Sequence, residues 1–94
     1  MSVTRFTLYS RSYCHLCSDM AAALEAARRG RDFQVDVIDL EDHPELEARY
    51  GDLVPVLVLG GREVFHYHFD EALLEAALAA HEAPDRPAQR AEFG

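Results

Sequence analysis

A chain of 94 residues with 49% hydrophobic and 28% charged side chains holds enough apolar material for one small core and none for a second, which excludes a disordered polymer. Its net charge of −8, with no lysine among the basic residues, argues against nucleic acid as a partner, because phosphate binding needs clustered cations. No apolar run reaches the roughly 18–20 residues of a membrane-crossing helix, and the opening MSVTRFTLYS lacks the apolar centre of a secretory leader, so a cytoplasmic protein without membrane partners is expected.

In chain order, VTRFTLY (3–9) alternates as a strand does, with Phe6 and Leu8 on one face and Arg5, Thr7 and Tyr9 on the other. Leu16, Met20, Ala23, Leu24 and Ala27 then fall on one helical stripe that ends at Gly30. DFQVDVIDL (32–40) reads as a second strand, with Phe33, Val35 and Val37 on one face. DHPELEARYG (42–51) reads as a short helix, with Pro44 at its first position, Leu46 and Tyr50 one turn apart, and Gly51 at its end.

VPVLVLGGREVFHY (54–67) predicts a hairpin turning at Gly60-Gly61. In VFHYHF, strict alternation puts Phe65, Tyr67 and Phe69 on a core face and Val64, His66 and His68 on the other. Asp70 can cap a last helix, EALLEAALAAHE, with Leu73, Leu74, Ala77 and Leu78 as its apolar stripe. The order is β-α-β-α-β-β-α in a single domain over 1–82, followed by a proline-containing tail (83–94) expected to be flexible.

Charge is unevenly spread. Residues 1–31 carry Arg5, Arg11, Arg28, Arg29 and Arg31 against Asp19 and Glu25, whereas residues 34–52 carry seven acids against Arg49 alone. An anionic substrate is better tolerated at the arginine-bearing end.

Both cysteines lie in SYCHLCSDM (12–20), and three roles are open to them: metal clasp, structural bridge or reacting pair. A bridge closing so short a loop constrains the unfolded chain little. A zinc site would need two more ligands, with His66 and His68 the available pair, although the spacing is not that of a regular zinc motif. A CxxC that follows a strand and opens a helix is the setting of thioredoxin-like redox chemistry. The helix start has unpaired N–H groups and a positive dipole end, which favour a thiolate at Cys14 with Cys17 one turn behind to resolve it.

Over about residues 3–80 the chain resembles glutaredoxin, and especially its small bacterial relatives in the thioredoxin superfamily, in TLYSRSYCHLC followed by VPVLVLGG. The resemblance implies an α/β thioredoxin/glutaredoxin-like fold, with a four-stranded mixed sheet carrying two helices on one face and one on the other. It implies a thiol-disulfide oxidoreductase with Cys14 and Cys17 as catalytic residues. It also implies a cis-proline at Pro55 lying against them, Val54 offering backbone hydrogen bonds to a substrate, and Arg11 favouring the thiolate or a glutathione carboxylate.

The sequence departs from the family at two places. His15-Leu16 stands where Pro-Tyr is usual, which makes His15 a candidate for tuning the thiolate. Counting on from Pro55, Phe65 and His66 fall where a Gly-Gly pair holds glutathione, with His68 near the expected acid and Asp70 two residues late. Glutathione is therefore expected only as a possible reductant, with no cofactor bound tightly. The expected partners are protein or small-molecule disulfides, and the expected state is a monomer. The competing functions are metal binding through the CxxC pair, as zinc or as an iron–sulfur cluster shared between two copies, and a redox-inactive interaction module on the same fold.

Overall fold

The computed structural model describes residues 4–82, so the predicted flexibility of the 83–94 tail lies outside the described residues. β1 (Thr4–Ser10), α1 (His15–Ala27), β2 (Phe33–Asp39), α2 (Pro44–Tyr50), β3 (Val56–Leu59), β4 (Arg62–His66) and α3 (Glu71–Glu82) follow in that order. A 3-10 turn at Leu40–Asp42, not foreseen from the sequence, leads into α2. The strands form one sheet in the order β2-β1-β3-β4, with β1 parallel to β2 and antiparallel to β3, and β3 antiparallel to β4.

Alternation along β1 divides the core into two layers, as a pleated strand requires. On one face Phe6, Leu8, Phe33, Leu57 and Phe65 pack against Met20 and Leu24 of α1 and Leu74 and Leu78 of α3. Phe6 and Phe33 meet edge to face at 5.4 Å. On the other face Val56 and Val58 pack with Leu40 and with Tyr50 of α2, and Tyr9 stacks on Tyr50 at 4.5 Å. Two helices thus cover one face and one the other.

Local chemistry accounts for most element ends. Pro44 opens α2, where its missing N–H goes unneeded. Asp70 caps α3 through its Oδ1, which accepts from the Leu73 N–H at 3.1 Å. Gly60 and Gly61, at φ +61° and +82°, form the two-residue turn whose twist matches that of β3 and β4. Arg31 donates to the Ala27 carbonyl at 2.9 Å, closing the end of α1, and also pairs with Glu71 and Glu75 of α3.

Four expectations need correction. Leu16 lies outside the buried stripe of α1, at 37% exposure, and Cys17 takes its place at 6%. The inward line of α1 runs through 17, 20 and 24, spaced three and four apart, rather than 16, 20 and 24. Val37 is 59% exposed: it lies on the edge strand β2 and borders an open crevice lined also by Ala21, Leu24 and Glu25 of α1 and by Arg28. Leu73 is exposed, whereas Leu74 and Leu78 hold α3 to the sheet.

The fourth correction concerns β4. Its register with β3 shifts between Leu57 and Val58, so that Val58 faces Glu63 and Leu57 faces Phe65, leaving Val64 as the extra residue of a bulge. Tyr67 then turns to φ +65°, which ends the alternation: Phe65 is buried and Phe69 packs on the core, but Tyr67 faces outward.

Candidate active site

The strand register collects the functional loops at one end of the sheet. Ile38, Tyr9, Val56 and His66 form one row across it; one residue further on, Asp39 pairs with Ser10, and the Tyr67 N–H bonds the Pro55 carbonyl. From Ser10 the chain runs through Arg11, Ser12 and Tyr13 to Cys14, the N-cap of α1.

Cys14 has an extended backbone (φ −103°, ψ 111°), and its Sγ accepts the Cys17 N–H at 3.1 Å. A thiol sulfur therefore occupies the position that a Ser or Asp oxygen takes in an ordinary N-cap. The first turn of α1 carries no acidic residue that would offset the helix dipole at this sulfur. The Cys14 and Cys17 sulfurs are at disulfide-bonding distance, with Cα atoms 5.2 Å apart. Cys14 is half-buried and Cys17 lies beneath it, packed away from solvent. His15 is the first helical residue and is exposed.

Contacts to the opposite side of the site fix the loop that carries Cys14. Arg11 pairs through its Nη2 with Glu47 of α2 and donates to the Gly51 carbonyl at 3.0 Å, and the Ser12 hydroxyl donates to Asp39 at 3.1 Å. Gly51 has an ordinary helical φ of −55°, so conformational freedom is not its purpose. A Cβ there would lie 2.5 Å from the Glu47 carbonyl oxygen, 2.6 Å from the Glu47 carboxylate and 2.9 Å from the Arg11 guanidinium, so the Glu47 backbone and the Arg11–Glu47 pair above it leave room for glycine alone.

The Val54–Pro55 bond is cis and Pro55 is fully buried. The Pro55 carbonyl accepts the Tyr67 N–H at 2.9 Å, and among the described residues no backbone hydrogen bond engages Val54. Tyr67 sits at the centre of a γ-turn in which the His68 N–H donates to the His66 carbonyl at 2.7 Å. Its hydroxyl donates to the Asp52 carbonyl at 2.8 Å, and 40% of the residue remains exposed.

Among the described residues, Tyr13 and Tyr67 are the two non-glycine residues with positive φ. A bulky side chain in that region costs of order 1–3 kcal/mol. One of them directly precedes Cys14, and the other is bonded to Pro55.

The residues at the family's Gly-Gly positions are placed differently from one another. Phe65 points into the core, His66 pairs with Glu63, and Tyr67 is the residue that stands beside Pro55. Among the described residues no three side chains of His, Cys, Asp or Glu converge as metal ligands, so Cys14, Cys17, His66 and His68 are not gathered into a tetrad.

Comparison with known proteins agrees with this layout. The family model described as "Glutaredoxin-like domain (DUF836)" matches residues 5–79. The chain belongs to this glutaredoxin-like family. An uncharacterized protein of Mycobacterium bovis is 32% identical over 84 residues, covering 84% of this chain and 87% of its own. A Nitrosomonas europaea protein solved by NMR in solution superimposes with a TM-score of 0.73 at 30% identity, over 82% of this chain and 93% of its own. An X. campestris protein solved by X-ray diffraction gives 0.60 at 41% identity, over 80% of this chain and 96% of its own. Thioredoxin 1 of Thermosipho africanus, at 17% identity and a TM-score of 0.57 over 83% of this chain and 98% of its own, shares the fold.

In this glutaredoxin-like chain the residues singled out from the sequence, Cys14, Cys17, Arg11, His15, Val54 and Pro55, are carried on loops and on the start of α1. Sequence reasoning did not single out Tyr13, and it read Gly51 only as a helix end and Tyr67 only as a core residue. An aromatic residue directly ahead of an N-cap was a weak signal for Tyr13. Nothing in the sequence marked Tyr67, whose position depends on the bulge at Val64. Among the described residues no helix is long and apolar enough to cross a membrane.

Proposed function

We propose that this glutaredoxin-like protein is a dithiol-disulfide oxidoreductase. The observation that carries the reading is the sulfur of Cys14 at the N-cap of α1, bonded to the Cys17 N–H and in bonding contact with the sulfur of the buried Cys17.

In the reduced protein the Cys17 N–H and the positive end of α1 favour the Cys14 thiolate. That thiolate attacks one sulfur of a substrate disulfide, forming a mixed disulfide at Cys14 and releasing the other sulfur as a thiolate that takes up a proton. Cys17 loses its proton and attacks the Cys14 sulfur, closing the Cys14–Cys17 bond and expelling the second substrate thiolate. The substrate gains two electrons, which a separate dithiol or thiol donor restores to the protein.

Lowering the Cys14 pKa speeds the attack little, because intrinsic nucleophilicity falls with basicity along a Brønsted slope of about 0.4–0.5. Its larger effect is on departure, since Cys14 becomes the better leaving group. Val54, whose backbone has no partner among the described residues, supplies hydrogen bonds to the substrate backbone. Arg11 acts by holding the loop through Glu47 and Gly51, and exposed His15 lies beside the nucleophile. The setting we propose is the cytoplasm, with the protein acting as a monomer.

Iodoacetamide alkylation of the reduced protein across pH, with Cys14→Ser and Cys17→Ser variants, tests this reading. Cys14 should react faster than Cys17, with its profile displaced below that of an ordinary thiol. Equal rates and an ordinary profile at Cys14 would overturn the assignment.

A further inference from the structure

Tyr13 and Tyr67 occupy costly backbone positions without serving the core. Tyr13 is wholly exposed, and Tyr67 keeps an exposed ring while its N–H and hydroxyl are tied to Pro55 and Asp52. Glycine would relieve the backbone at both positions. Two exposed or partly exposed aromatic rings held in strained conformations, one directly preceding Cys14 in the chain and the other hydrogen-bonded to Pro55, are suited to contact with a ligand.

The chemistry of the surroundings narrows that ligand. Several polar groups of this end are paired with one another: Arg11 with Glu47, Ser12 with Asp39, and His66 with Glu63. Glutathione carries two carboxylates and one ammonium, and holding it here needs a free cation. The fixed cation in the loop, Arg11, is committed to α2, and His15 and His68 are imidazoles. Asp39 and Asp52 add negative charge to the surrounding surface. The apolar surface at this end consists of Tyr13, Tyr67 and the half-exposed Leu16.

We propose that Tyr67, with Tyr13, is a specificity-determining residue that directs Cys14 toward disulfides within polypeptides carrying an apolar side chain beside the cysteine, in preference to glutathione disulfide. The proposal rests on the dithiol reading above. The polypeptide lies extended along the Val54 backbone, and the two rings cover its apolar side chain.

The test is single-turnover exchange of the reduced full chain with two probes. One is oxidised glutathione, and the other is a linear peptide dimerised through a cysteine flanked by phenylalanine and leucine. Each rate is divided by the same disulfide's rate with free dithiothreitol. The wild-type ratio should favour the peptide by about tenfold or more, and Tyr67→Gly should lower that ratio about tenfold, equivalent to about 1.4 kcal/mol of transition-state contact.

Tyr67→Phe, which keeps the ring and loses the bond to Asp52, should stay within about threefold of wild type on the scale of a single modest contact. Tyr13→Gly should lower the ratio about threefold on the scale of one aromatic contact, and it carries the test if Tyr67→Gly fails to fold. A wild-type ratio near one, or a ratio unmoved by Tyr67→Gly and Tyr13→Gly, overturns the proposal and leaves the dithiol reading standing. Wild type reacting with neither probe faster than Cys14→Ser does would bring down both.

Discussion

Gly51 shows how closely the Cys14 loop is fitted to its neighbour. The Arg11 guanidinium passes where a side chain at 51 would stand, and the Glu47 carbonyl oxygen blocks the same space as backbone that cannot move cheaply. Gly51→Ala is therefore expected to destabilise the fold by about 1–3 kcal/mol, the usual cost of forcing one extra carbon into a filled site. For a domain of this size the melting temperature should drop by at least about 4 °C. An unchanged melting curve by circular dichroism would show that Arg11 moves aside freely. At this scale the sequence was only partly legible: glycine at 51 read as a helix stop, and its steric role needs the three-dimensional path of a side chain from forty residues earlier.

Helix α1 illustrates why pattern alone misassigns single positions within a correctly located element. The sequence placed the helix and its inward face, but one residue of phase decided whether Leu16 or Cys17 went inside. The packing of α1 on the sheet buries Cys17, Met20 and Leu24 and leaves Leu16 outside. The consequence is measurable: Leu24→Ala should cost about 2–5 kcal/mol as a cavity in the core. Leu16→Ala should stay within about 0.5 kcal/mol of wild type. Urea denaturation of the two variants distinguishes these outcomes, and comparable losses would mean that α1 is rotated from the orientation described. β4 was legible as a strand but not in its course, because a period-two reading assumes an unbroken ladder and the bulge at Val64 is set by pairing with β3.

At the scale of the whole molecule the topology followed from the order of elements and the resemblance together, since a CxxC at the end of a first strand and a hairpin after a second helix leave few sheet arrangements. The sequence could not locate its charges relative to the site. The acidic stretch from Asp39 to Asp52 runs along the end of the sheet where Cys14 lies, and the full chain carries a net charge of −8. A doubly anionic disulfide such as oxidised glutathione should thus be repelled at long range. Raising ionic strength from 0.01 to 0.1 M shortens the screening length from about 30 to about 10 Å. Its exchange rate with the reduced protein should then rise several-fold, while the rate for an uncharged peptide disulfide stays flat. A salt response of the opposite sign, measured by stopped flow, would mean that the arginines near the start of the chain dominate the field at the site.

The depth difference between the two sulfurs also bears on survival under oxidative stress. In the reduced protein, peroxide arriving from solvent would meet the half-buried Cys14 first and should convert it to a sulfenic acid, while Cys17 is shielded by the core. The sheltered thiol then condenses with that sulfenic acid, releasing water and leaving a reducible bond before oxidation advances to the irreversible sulfinic stage.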